Sequence, residues 1–256
     1  MQKNPWKYWY TSFEDSFFEI SRLRGDCHVT SCYSMCNAVH LFHGKKYRKS
    51  TYYQLTKNHI LTVKWNKGRH GEYLTSKMIE KYASKSHRQL VNVYIPKRNS
   101  HELTEIDLLY IDRTGLYVLE SKNYSGWIFG NEAHQQWTQT MPNKKKYKFF
   151  NPIRQNAIHT RAIQDFLKLP NNAIHSVIVF GESCTLKKVE MTSSNVHVIK
   201  REELKHFIQA RQKSASPIFS KVDIQAIYNQ LLPQMQISKA MKKKHIRTIQ
   251  QRYGKS

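Results

Sequence analysis

Eight consecutive residues, Ala173 to Phe180 (AIHSVIVF), constrain the fold more than any other segment of this chain. A strand with one face on water alternates apolar and polar side chains, whereas this run is apolar almost throughout. It therefore reads as a strand buried on both faces, the condition of a central strand in a sheet covered by helices. The flanking sequence supplies the cover. Before it, Ile153, Ile158, Ala162, Ile163, Phe166 and Leu167 recur at helical spacing behind Asn151-Pro152 and ahead of Pro170, so a helix is expected between those prolines.

Further upstream, GRHGEYLTSKMIEKYAS places Leu74, Met78, Ile79 and Tyr82 on one helical face. Three strand-like runs follow, QLVNVYI, TEIDLLYI and GLYVLESK, and the short DRTG link makes the last two a hairpin. After Gly126, WIF and Gly130 comes Trp137 in a further short strand, then PNKKKYK, read as an exposed basic loop. NVHVIK reads as another strand, and REELKHFIQARQ and DIQAIYNQLLPQ as two helices. Trp127, Trp137 and the strand tyrosines are read as core. The fold class is therefore mixed α/β, with a basic, aromatic-rich N-terminal segment over 1–67, an α/β core over 68–200 and a helical, basic C-terminal extension over 201–256.

Charge narrows the function classes. Lys plus Arg total 42 against 18 Asp plus Glu, a formal charge of +24, so the surface attracts polyanions. No G-x-x-x-x-G-K-[ST] loop is present, which leaves ATP binding without support, and no small-molecule cofactor is implied. The four cysteines are too few and too unevenly placed for a secreted disulfide framework, and the polar opening lacks a signal-peptide core, so a reducing cytoplasm is expected. Cys32, Cys36, His40 and His43 match no common zinc spacing. The stretch from Cys27 to Phe42 is interrupted by polar residues and too short to span a bilayer, which limits the N-terminal segment to peripheral membrane contact at most. The tail from Ser238 onward, including Lys242, Lys243 and Lys244, and the loop lysines Lys144, Lys145 and Lys146 read either as nucleic-acid contacts or as solvated charge.

The sharpest chemical pattern is Asp107 on one strand followed by Glu120-Ser121-Lys122 on the next. Side chains two apart share a strand face, so Glu120 and Lys122 point together, and the hairpin brings Asp107 alongside. Two converging carboxylates suit Mg²⁺ or Mn²⁺, and a neighbouring lysine suits a phosphate. The same spacing also arises when all three simply face solvent.

From Gly68 to about Leu169 the chain resembles the nuclease-related domain family, itself similar to the PD-(D/E)XK phosphodiesterases. The resemblance rests on G-x-x-G-E at 68–72, VNVYIP at 91–96, TEID at 104–107, GLYVLESKNYSGWIFG at 115–130, Trp137 and NPIRQN at 151–156. It implies a restriction-endonuclease-like core with a central mixed β-sheet flanked by helices. It further implies a metal site of Glu72, Asp107 and Glu120 with the Ser121 carbonyl, and Lys122 as the catalytic cation. Ile106 stands where the superfamily motif has proline. Gln155 is expected either to contact DNA or orient the site, or only to serve the start of its helix. The activity so implied is metal-dependent cleavage of DNA, with RNA not excluded. The alternative is a nucleic-acid-binding module that no longer turns over, or that needs a partner to do so.

Overall fold

The computed structural model describes residues 45–98, 100, 102–238, 240–242, 247 and 248. The expectations attached to Cys27–Phe42, to the Cys32, Cys36, His40 and His43 group, and to Lys243 and Lys244 lie outside the described residues. The chain divides into two compact units, 1–49 and 50–256. The second unit holds two β-sheets and the helices that cover them.

Two short helices open it, α1 (Thr51–Thr56) and α2 (Ile60–Trp65), in a stretch whose sequence shows no useful period. Each starts on a side-chain cap, Ser50 accepting from Tyr53 N–H and His59 from Leu61 N–H. α3 (Lys67–Tyr82) begins where the Asn66 side chain accepts from Arg69 N–H. Its fully buried positions are Gly71, Thr75, Ser76 and Ile79. The buried face is thus turned from the expected Leu74, Met78, Ile79 and Tyr82 stripe. Small residues are needed there because the helix lies close on the sheet: a Cβ on Gly71 would stand 3.1 Å from Ser121 Oγ. The buried hydroxyls are satisfied, Thr75 by the Gly71 carbonyl at 2.9 Å and Ser76 by Gln89 Oε1 at 2.9 Å.

Strands β1 (Arg88–Pro96), β2 (Leu103–Asp112) and β3 (Gly115–Lys122) form the expected antiparallel meander. The β2–β3 hairpin closes at Asp112 opposite Gly115, whose φ of 136° only glycine adopts without strain. The chain then leaves the sheet for β4 (Gly126–Asn131), β5 (Gln136–Thr140) and β6 (Lys146–Phe150). It returns through α4 (Pro152–Leu167), which has Pro152 in its first turn and Asn151 as cap, into β7 (Ile174–Phe180). β8 (Cys184–Glu190) and β9 (Val196–Lys200) follow, then α5 (Leu204–Ser214) and α6 (Lys221–Leu231).

The main sheet runs β1-β2-β3-β7-β9, with β7 parallel to both neighbours, and every residue of β7 is buried as its sequence requires. Leu116 and Val118 of β3 join the core that α4 and α6 cover, while Tyr117 turns to the opposite face against Phe207 of α5. Helices therefore cover both faces. The second sheet runs β6-β5-β4-β8, and β4 and β8 were not legible as a parallel pair. The basic segment is not all loop: Lys146 and Lys148 lie in β6, at the edge of this sheet. Trp137 is core, 1% exposed and stacked on Phe180, but Trp127 is 43% exposed, against expectation. Strand alternation is the reason, since Ile128 between Trp127 and Phe129 takes the inward position. Among the described residues no helix is long and apolar enough to cross a membrane.

Candidate active site

The register Leu108↔Leu119 in the β2–β3 pair sets Asp107 opposite Glu120 on the face that looks toward α4. The backbone fixes the aspartate further, because Ser121 N–H donates to Asp107 Oδ2 at 3.0 Å. Glu120 is 2% exposed, and a carboxylate so placed needs partners. Lys122 Nζ stands 2.7 Å from Glu120 Oε1 and donates to Gln155 Oε1 at 3.0 Å. His159 Nε2 lies 3.2 Å from Glu120 Oε2, and its other nitrogen pairs with Thr104 Oγ1 at 2.8 Å.

Gln155 and His159 are one helical turn apart on α4 and so present the same face to the strand ends. The structure thus gives Gln155 the lysine as a partner, and it adds His159, which sequence reasoning passed over. The four-residue spacing from Gln155 was the available signal. Glu105, two before Asp107 on the same strand face, was missed as well; Tyr94 Oη donates to it at 2.6 Å. Glu72 projects from α3 and accepts from Tyr52 Oη at 3.2 Å. Tyr52 had no sequence signal at all.

Electrostatics tie these carboxylates into one group. Burial, then the negative charges of Glu120 and Glu72, hold Asp107 well above the ordinary carboxylate range. Burial, with Glu105 and Glu120 adding to it against the Tyr52 hydrogen bond, raises Glu72 to about 7. Burial pushes Glu120 up too, but Lys122 and His159 overcome it and hold Glu120 at about 2. Lys122 resists the effect of its own burial because Glu120 faces it, so its pKa lies above that of a free lysine. Glu120 is the permanent anion and Lys122 the permanent cation.

The other expected residues are more dispersed. Ser121 turns its hydroxyl away, buried without a hydrogen-bond partner beside Gly71 of α3. Lys144 takes a positive φ of 61° in the β5–β6 turn, and Lys144, Lys145 and Lys146 are exposed there. Lys242 Nζ sits 5.5 Å from the ring centre of Tyr94, the residue bonded to Glu105, so this lysine reaches the acidic side of the site.

A family model described as nuclease-related domain matches residues 67–181. A Bacillus anthracis protein, itself described as uncharacterised, is 33% identical over 201 residues, covering 78% of this chain and 91% of the relative. The chain belongs to the nuclease-related domain family. No solved structure matches it. Glu72, Asp107, Glu120, Lys122, Gln155 and His159 all fall within the matched nuclease-related domain.

The family resemblance implies a divalent cation, and the donor chemistry here fits one. All the side chains concerned are hard oxygen ligands, and burial together with neighbouring carboxylates, Glu105 and Glu120 for Glu72 and Glu120 and Glu72 for Asp107, pushes both toward the protonated state, a repulsion that a cation relieves. Among the described residues no three metal-ligating side chains stand close enough to form a closed cage.

Proposed function

We propose that this nuclease-related domain is a metal-dependent phosphodiesterase acting on DNA. The observation that carries the reading is the pair of buried Glu120 and half-buried Lys122 at the end of β3, with Asp107 beside it and Gln155 and His159 packed on it from α4. Asp107 and Glu120 would hold Mg²⁺ or Mn²⁺, with Glu72 able to add an oxygen. Bound there, the ion would polarise a phosphate oxygen and acidify a water.

The remaining work falls to the protein's own groups. Lys122 keeps its proton, so it acts as a donor to a phosphate oxygen and not as a base. Gln155 and Glu120 take two of its directions, leaving a third N–H for substrate. His159, itself anchored by Thr104, places Nε2 3.2 Å from Glu120 Oε2 and helps to keep that carboxylate ionised. The +24 surface supplies affinity for the phosphate backbone without sequence preference.

The test is cleavage of circular and linear DNA, single- and double-stranded, with Mg²⁺, Mn²⁺ or EDTA, by wild type, Asp107→Asn and Lys122→Ala. Cutting that needs metal and is lost in both variants is expected. Undiminished cutting by either folded variant would remove the site from the reaction. Salt-sensitive binding without any cutting would instead favour a silent nucleic-acid-binding domain.

A further inference from the structure

The second sheet has one face in the core and one in solvent. Ile128, Trp137, Phe149, Leu186 and Val189 pack inward together with Phe180. On β4 the alternate residues Trp127 and Phe129 point the other way and are 43% and 37% exposed. Two cross-strand rows run over this outer face. One is Lys146, Thr140, Trp127, Thr185, in which Thr140 is buried at 7% exposure, and the other is Lys148, Thr138, Phe129, Lys188. Each row thus sets a lysine two strands, or roughly 10 Å, from an exposed aromatic ring.

Lys187 lies at the irregularity where β8 shifts register against β4, and its ammonium stands 5.6 Å from the Trp127 ring centre. Lys188 is engaged with Glu190 at 2.9 Å. Lys146 and Lys148 have no carboxylate partner among the described residues. Lysines on β6 would be explained by the need to protect an edge strand from pairing. That need does not account for exposed Trp and Phe on β4, which lies between β5 and β8. Rings about 7 Å apart along a strand, flanked by cations at phosphate distance, match unstacked bases on a charged backbone.

We propose that the outer face of the second sheet binds single-stranded nucleic acid, with bases stacking on Trp127 and Phe129 and phosphates on Lys146, Lys148 and Lys187. Only three residues separate β4 from Lys122, so a strand lying on this face is led toward the end of β3 that carries Glu120 and Lys122. Binding on the face needs no turnover, so it stands whether or not the phosphodiesterase reading does.

The experiment is fluorescence anisotropy with labelled oligothymidylate and a matched duplex, using the full chain in EDTA across a salt series. Wild type should prefer the single strand, with quenching of tryptophan emission. The Trp127→Ala/Phe129→Ala protein should bind about tenfold or more weakly with an unchanged salt slope, and Trp127→Tyr should restore most of the affinity. Lys146→Gln/Lys148→Gln should lower the log–log salt slope by about 1.4, at roughly 0.7 per phosphate lost. Both aromatic positions are solvent-facing, so matched melting curves check folding. Equal binding by the aromatic variant, or equal preference for duplex, would overturn the proposal. So would a wild-type dimer that the aromatic variant dissociates, since the face would then belong to a second copy. Asp107→Asn, retaining this binding while losing any cleavage, separates failure of one reading from failure of the other.

Discussion

Replacing Glu72 by glutamine should make the protein more stable at neutral pH. Glu72 is raised from an ordinary 4.5 to about 7 by burial and by the charges of Glu105 and Glu120. Below pH 4.5 the carboxyl is protonated in both the folded and unfolded chain and contributes no pH dependence. As pH climbs from 4.5 to 7 the unfolded chain releases the proton and the folded one retains it, so stability falls across that window and levels off above it. At about 1.4 kcal/mol per tenfold change in proton affinity, the cost at pH 8 is on the order of 3 kcal/mol. Glutamine reproduces the neutral acid and still accepts from Tyr52 Oη. Urea unfolding in EDTA should therefore show a gap of roughly 1 to 3 kcal/mol in favour of Glu72→Gln at pH 8, closing toward pH 5. Taking the difference between two proteins cancels every group that titrates alike in both. A variant no more stable than wild type at pH 8, or a gap that does not change with pH, would refute the clustering of carboxylates around Glu72.

Three further perturbations probe the site and its frame. His159→Ala removes the side chain 3.2 Å from Oε2 of a buried carboxylate, and cleavage should fall by about 10- to 100-fold, read in the same assay with melting curves to check folding. Gln155→Leu frees Lys122 on one side, and turnover should drop while affinity for DNA measured in EDTA stays the same. Gly130→Ala would place a methyl 2.2 Å from the Trp137 ring, which is buried and stacked on Phe180 and has nowhere to move; a loss of about 1 to 3 kcal/mol is expected by urea unfolding.

Local periodicity carried much of this protein into view. The strand-like runs TEIDLLYI and GLYVLESK, joined by the short DRTG link, determined a hairpin and hence the meeting of Asp107 with Glu120 and Lys122. The apolar run Ile174–Phe180 determined a doubly covered strand, and Pro152 and Pro170 bracketed α4. These are short-range rules, satisfied within ten or twenty residues. What the sequence left open depends on which surfaces meet. Gly71, Thr75 and Ser76 became the buried face of α3 only because that helix lies close on β3. Tyr52, in a stretch without period, reaches Glu72 twenty residues on, and His159 reaches Glu120 across thirty-nine. Trp127 reads as core by its size, yet the parallel pairing of β4 with β8 and the inward turn of Ile128 leave it on the outer face. The sequence by itself thus determined the main-sheet strands, the helices α3 to α6 and the Asp107, Glu120 and Lys122 trio, but not α1, α2, β6 or β8. Tertiary structure decided their partners, because long-range contacts form only where whole faces of helices and sheets come together.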